Sequence, residues 1–231
     1  MFQGVSYDYT SESNSDTIII FLPSVRKKNL YPFYPRQSWK NDLKNKYDLL
    51  FLSDPYQNMD DYQTPGGSWY INTSGKSFIY ELAQMINDFV TNKGYKNLIL
   101  YGSSMGGYAA ICLAFLCKNS IAIAECPQTI LEKHSGSSYV LNKFNVTESL
   151  DPISFFRKES QPKYISIACS IYDHHLDSHV MPFIKNIKKL DFDFSLSTHL
   201  FSSSAYANGH VALNKEDAMA LIDETYRKYC V

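Results

Sequence analysis

Thr17–Leu22 (TIIIFL) carries six consecutive apolar or β-branched residues with no polar face. A strand of that kind must be covered on both sides, which requires a central place in a parallel sheet sandwiched by helices. Similar short runs recur at Asp48–Leu52 (DLLFL), Asn97–Tyr101 (NLILY), Ser120–Ala124 (SIAIA), Lys163–Ala168 (KYISIA) and Phe192–Leu200. The last alternates and belongs nearer the sheet edge. Helical periods separate the runs. Phe78, Leu82, Met85, Ile86 and Phe89 share a face within Ser77–Lys93, which Gly94 closes. A small-residue helix follows the turn at 102–107 and runs to about Cys117, Ser178–Leu190 reads as another, and Asn214–Tyr229 lines up Ala218, Leu221, Ile222, Thr225 and Tyr226. Six strands alternating with helices predict an α/β chain with a doubly wound, mostly parallel sheet and right-handed crossovers. No linker or repeat divides the 231 residues, so one domain over 1–231 is expected. The stretch 126–160 has poor periodicity and is expected to form a small lid or substrate-facing insertion.

Composition narrows the function classes. Apolar residues make up 45% and charged residues 19%, as in a globular protein, and the net charge of −1 calls for neither nucleic acid nor an anionic membrane. The apolar runs are too short to span a bilayer. The five cysteines form no C-x-x-C pair and their number is odd, so they read as buried thiols in a reducing compartment. Residues 1–16 are polar, without the basic and apolar regions of a secretory signal, and a cytoplasmic location is expected.

The decisive segment is Gly102-Ser103-Ser104-Met105-Gly106, a G-x-S-x-G between an apolar strand and a small-residue helix. A sharp strand-to-helix turn would lift Ser104 clear of the sheet, and glycines two positions away on either side leave room for it. The helix beginning beside it would aim unpaired N–H groups at a developing oxyanion. Neither G-x-G-x-x-G nor G-x-x-x-x-G-K-[ST] is present, which argues against a phosphate-binding turn.

This segment resembles the nucleophile elbow of the α/β-hydrolase superfamily. A narrower set of motifs comprises Ser53-Asp54-Pro55, Gly67-Ser68-Trp69-Tyr70, Tyr101–Tyr108 and Glu125-Cys126-Pro127-Gln128. These are similar to bacterial glycan-modifying members, among them capsule polysaccharide O-acetyltransferases and the glycan-acetylating component of accessory secretion systems. The resemblance implies an α/β-hydrolase-like fold and a triad in the order serine, acid, histidine. His210, in Asn208-Gly209-His210-Val211-Ala212 ahead of the last helix, takes the histidine's place. Asp173, directly after a strand, is the preferred acid, and Asp177 is the alternative, although with Ser178 it equally suits a helix cap. Met105 is expected to give one oxyanion-hole amide. Usual members carry His-Gly after the first central strand, whereas Pro23-Ser24-Val25 stands here, leaving Ser24 and Val25 as candidates for the second. Arg26, Lys27 and Lys28 form a basic cluster that suits either solvent or an anionic glycan or acyl donor.

His134, His174, His175, His179 and His199 compete poorly with His210 for the catalytic place. A metal site around Asp173–His179 is not assigned, because H-E-x-x-H is absent and adjacent His174 and His175 are expected to point apart. Gly67, Trp69 and Gln128 are the expected substrate contacts, with the Gly66–Trp69 loop as a sugar platform, against the plainer account of a packed tryptophan. The functional expectation is acyl transfer through an acyl-enzyme. It would be O-acetyl transfer to, or ester cleavage from, a bacterial surface glycan. A carboxylesterase or thioesterase of small acyl esters and a non-catalytic binding module are the alternatives. No bound cofactor is expected, with acetyl-CoA as the acyl donor of a transferase. The partner is a small molecule or carbohydrate, and the oligomeric state is left open.

Overall fold

The computed structural model describes residues 2–203 and 209–231. Its strands are β1 (Tyr7–Thr10), β2 (Thr17–Leu22), β3 (Asp48–Leu52), β4 (Asn97–Ser103), β5 (Ile121–Glu125), β6 (Tyr164–Ser170) and β7 (Ser195–Phe201). They form one sheet in the order β1-β3-β2-β4-β5-β6-β7. β1 runs antiparallel to β3, and every other pair is parallel. The α-helices are α1 (Lys40–Leu43), α2 (Ile79–Lys93), α3 (Met105–Ala114), α4 (Ser135–Lys143), α5 (Met181–Ile187) and α6 (Lys215–Tyr229).

Period-2 alternation sorts the central strands between two cores. Ile18, Ile20, Leu22, Leu98 and Leu100 face a core shared with Leu82, Ile86 and Phe89 of α2, α3, and Phe183 and Ile187 of α5. Ile19, Phe21, Ile99 and Tyr101 face the opposite core, against Leu43 of α1 and Ala218, Leu221 and Ile222 of α6. Burying an aliphatic side chain of this size contributes about 1.5–3 kcal/mol, so the two layers are secured by many independent contacts. α3 is buried along its whole length, which explains why its sequence is apolar on every side.

The ends of the elements follow from their caps. α2 stops at Gly94, whose φ of 76° lets its N–H reach the Thr91 carbonyl and lets the Tyr95 N–H reach that of Val90. α6 starts at Asn214, whose Oδ1 accepts the Asp217 N–H at 2.9 Å.

Three features differ from the sequence reading. β1 is an additional, antiparallel strand; its four residues (YDYT) are mostly polar and carry no run long enough to register. The expected helix 178–190 is shorter, because Leu176–Val180 forms a π-turn before α5. The stretch 126–160 divides in two. α4 lies over Trp69, with the Gly136 Cα so near that a Cβ would sit 2.5 Å from the indole. The second half is stitched into the core by Leu150 and Phe155, and Tyr108 donates to the Leu150 carbonyl at 2.9 Å. Among the described residues, no helix is long and apolar enough to cross a membrane.

α3 meets β2 in a close crossing. A Cβ on Gly106 would stand 2.5 Å from the Leu22 carbonyl oxygen, whereas one on Gly94 would meet nothing within 4 Å. Gly106→Ala is therefore expected to lose about 3 kcal/mol or fail to fold, and Gly94→Ala to lose about 1 kcal/mol from its left-handed backbone alone. Urea unfolding of the two variants checks the ranking, and equal losses would contradict it.

Candidate active site

Ser104 sits between β4 and α3 with φ 57° and ψ −116°, a conformation that L-residues rarely adopt. The surroundings enforce it. A Cβ on Gly102 would fall 2.2 Å from the Gly106 carbonyl oxygen, and one on Gly107 would fall 2.9 Å from that of Glu125. The Ser104 N–H donates to the same Glu125 carbonyl at 2.9 Å, tying the turn to the neighbouring strand.

The loop carrying His210 is pressed against the end of β6. Gly209 has φ 81°, and a Cβ there would lie 2.5 Å from the Tyr172 carbonyl oxygen. Asn208 of the same loop lies outside the described residues. His210 Nδ1 is 2.9 Å from Asp173 Oδ2, and its Nε2 is 3.2 Å from Ser104 Oγ. A carboxylate can only accept, so Nδ1 carries the proton and Nε2 is left to accept from the serine hydroxyl. Asp173 is buried, and its Oδ1 accepts the His175 N–H at 2.9 Å. Burial alone would raise its pKa, but the hydrogen bonds from His210 and the His175 backbone outweigh it and hold the carboxyl below the usual range. Asp177 is exposed on the π-turn and, among the described residues, makes no hydrogen bond to His210.

Imidazoles surround this series. His175 is buried with its ring 4.2 Å from that of His210 and 4.6 Å from that of His179. His174 and His175, expected to point apart, instead have ring centroids 4.2 Å apart, because the chain turns sharply after Asp173. Burial, reinforced by neighbouring imidazoles, lowers the pKa of His134 to about 4, of His175 to about 3 and of His179 to about 4. One ligand atom each from Asp173, His174 and His175 lies within 4.8 Å of the others, and the same holds for Cys126, Asp173 and His210. In both groups the carboxylate is already held by the His210 and His175 N–H donors.

The Pro23–Val25 loop reaches the start of α3. The Gly67 Cβ position would be 3.0 Å from both Met105 Sδ and Val25 Cγ2, so both side chains pack on the glycine. Among the described residues, no protein acceptor takes the amide hydrogens of Ser24, Val25 or Met105. Arg36, which the sequence reading passed over, ties the chain that follows this loop to the end of β5. Its Nη2 donates to buried Glu125 Oε2 at 2.7 Å, and Tyr101 Oη donates to Oε1 at 2.5 Å. Burial raises the Glu125 pKa against the pull of Arg36.

A second brace holds the 66–70 loop. Buried Asp54 accepts from Ser68 Oγ at 2.6 Å, Ser68 N–H at 3.0 Å and Tyr56 N–H at 2.9 Å. Trp69 is fully buried, so it is not the exposed sugar platform expected of it. Its Nε1 donates to Gln128 Oε1 at 2.7 Å and thereby orients an amide that lines the cleft. Gly67 is likewise a packing position beneath Val25 and Met105. The cleft beside Ser104, about 510 Å³, is lined by Thr64, Pro65, Gln128, His134, Tyr139 and His210, among others. His134 and Tyr139 come from the aperiodic stretch; the one local signal was His134 itself, whose Nδ1 accepts the Ser137 N–H as the α4 cap.

The fold is that of the α/β-hydrolases. A search of solved structures finds the capsule O-acetyltransferase of Neisseria meningitidis serogroup A, with 22% identity and a TM-score of 0.67 over 99% of this chain and 92% of that one. It also finds an acetyl ester-xyloside bifunctional hydrolase from Caldicellulosiruptor lactoaceticus, with 13% identity and a TM-score of 0.64 over 97% and 87% of the two chains. Esterase B from Lactobacillus rhamnosis matches with 13% identity and a TM-score of 0.61 over 98% and 85%. No protein-family model and no curated protein matches the sequence.

The buried imidazoles make stability depend on pH. His134, His175 and His179 have pKa values below the ordinary 6.5 in the folded chain, so the unfolded chain takes up protons first as pH falls. Their contribution is complete above pH 6.5 and is lost between 6.5 and the folded values of about 4, 3 and 4. The expected outcome is a urea midpoint that declines steadily below pH 6.5, with a shallower decline in His179→Gln. A midpoint flat from pH 7 down to about 4.5 would contradict it.

Proposed function

We propose that the protein is a serine-dependent acyltransferase that moves an acetyl group from acetyl-CoA to a bacterial surface glycan, with ester hydrolysis as the branch in which water is the acceptor. The observation that carries this reading is the hydrogen-bonded series Ser104–His210–Asp173 on a glycine-lined turn. In support of an acyl-CoA donor, a histidine-to-alanine variant of the Neisseria capsule O-acetyltransferase is solved in complex with CoA. A reducing cytoplasm, which supplies acetyl-CoA, suits five free cysteines.

Ser104 Oγ attacks the thioester carbonyl while its proton passes to His210 Nε2. The tetrahedral oxyanion is held by the N–H of Met105 and that of Val25 or Ser24, all without protein acceptors among the described residues. As the C–S bond breaks, the leaving thiolate takes the proton from Nε2 and acetyl-Ser104 remains. A sugar hydroxyl then gives its proton to Nε2 and attacks the ester, and the released serine recovers the proton. Asp173 keeps Nδ1 protonated and stabilises the imidazolium in both halves. Tight supporting packing around Ser104 is what a positioning site requires, since orientation is worth several kcal/mol of barrier.

Ser104→Ala is expected to abolish p-nitrophenyl acetate turnover with little change in thermal stability. Asp173→Asn should lower kcat by about 10³–10⁴, while Asp177→Asn leaves it near wild type. Acetate release and glycan acetylation measured together from acetyl-CoA distinguish transfer from hydrolysis. Ser104→Ala activity comparable to wild type would favour metal-assisted chemistry that does not use Ser104, and no turnover in either protein would favour a non-catalytic scaffold.

A further inference from the structure

Two clefts open from the same Ser104–His210 pair, with Val25 between them, and their chemistry differs. The first, of about 510 Å³, presents the Thr64 hydroxyl, the Gln128 amide, the His134 imidazole and the half-exposed Tyr139 ring. None of these carries charge at neutral pH, because burial and the nearby His210 and His174 keep His134 deprotonated down to about 4. A neutral wall of hydroxyl, amide, imidazole and aromatic groups matches the alternating polar and apolar faces of a sugar.

The second cleft, of about 370 Å³, is lined by Ser24, Val25, Arg26, Ser103, Ser104, Cys126, His210 and Ala212. Arg26 is its one fixed charge among the described residues. The guanidinium has no carboxylate partner there: its Nη1 donates to the Val25 carbonyl at 2.7 Å, and its plane lies 4.4 Å over the Phe33 ring. The Arg26 side chain is exposed, and partial desolvation together with repulsion from Arg36, whose own charge is met by Glu125, lowers the pKa of its guanidinium. Lys27 and Lys28 follow it, also exposed, and among the described residues only Lys28 of the two is paired, with Asp60. An uncompensated, stacked guanidinium on the wall of a nucleophile's cleft is built to receive an anion, and its fork geometry suits a phosphate.

We propose that the two clefts divide the substrates: the Arg26 cleft takes the phosphate-bearing acyl donor, a coenzyme A thioester, and the neutral cleft takes the sugar acceptor against the Tyr139 ring. This assignment rests on the acyl-transfer reading. The phosphate enters through the Arg26 side, the thioester arm lies along Ser24 and Ser103 toward Ser104, and the free thiol departs the same way. The acceptor waits in the opposite cleft, where its hydroxyl meets His210 Nε2 without displacing the donor's binding groups. Phosphate recognition could instead serve a phosphate-bearing glycan, and the two sources give different results.

The test compares CoA with pantetheine, which has the same thiol arm and no phosphate, by titration calorimetry on the intact protein. A charge-assisted contact predicts that CoA binds about tenfold or more tightly, an advantage that shrinks with salt. Arg26→Ala should erase most of that advantage and Arg26→Lys restore part of it. In steady-state transfer, Arg26→Ala should raise the KM for acetyl-CoA more than that for the glycan, and Tyr139→Ala should do the reverse. Equal binding of CoA and pantetheine, equal losses of both in Arg26→Ala, or a loss confined to phosphate-bearing acceptors would overturn the assignment. Failure of the acyl-transfer reading looks different: CoA is preferred over pantetheine in an Arg26-dependent way, yet no acetyl-Ser104 or acetylated product forms.

Discussion

The contact on which the rest of the structure depends is the approach of the first turn of α3 to the end of β2. Gly106 lies so near Leu22 that no side chain fits between them, and Gly102 lies nearer still to the Gly106 carbonyl. That closeness obliges the chain to turn from β4 into α3 within one residue, and the residue in the turn is Ser104 with its positive φ. The strain is affordable because β2 and β4 are paired along six residues, Thr17 to Leu22 against Asn97 to Gly102, and α3 is buried throughout. The same approach brings the Pro23 carbonyl oxygen to the first turn of α3, 2.9 Å from where a Cβ on Gly106 would stand. One steric constraint thus fixes both the Ser104 turn and the start of the loop that follows β2.

Two buried carboxylates extend this constraint to the flanking loops. Glu125 ties Arg36 of the 23–39 loop to Tyr101 of β4, and Asp54 ties Ser68 of the 66–70 loop to the turn at Tyr56. Burying a carboxylate is costly unless it is hydrogen-bonded, so each fixes its loop in the one geometry that satisfies it. Trp69 and Tyr70 keep positive φ values of 48° and 60° under that restraint. The indole then holds Gln128 for the cleft. Its part in the site is therefore indirect, through the orientation of an amide.

Much of the layout was legible in the chain because local patterns and global folding agree. Thr17–Leu22 could only be a central strand, and the alternation in β2 and β4 matched the two cores that helices on each face create. The G-x-S-x-G turn was legible for a related reason: its glycines answer a steric demand that lies within a few residues. β1 escaped notice because four polar-tinged residues at a sheet edge need little apolar character. The stretch 126–160 escaped because it has no face of its own; α4 covers Trp69, while Leu150 and Phe155 fill gaps in a core made by other elements.

What the sequence determined by itself was the type of sheet, the position of the sharp turn and the residue types within reach of it, since these follow from periodicity and from local steric demands. What only the tertiary structure decided was which distant groups meet. Asp173 rather than Asp177 faces His210, because the chain bends after β6 and buries the first carboxylate while leaving the second on the surface. Trp69 turned inward because Asp54 holds the preceding Ser68 and Met105 Sδ accepts the Trp69 N–H, and His134 and Tyr139 came to the cleft because α4 packs on that indole. Such pairings depend on contacts tens of residues apart along the chain, where shape and hydrogen-bond satisfaction, not local preference, select the partner.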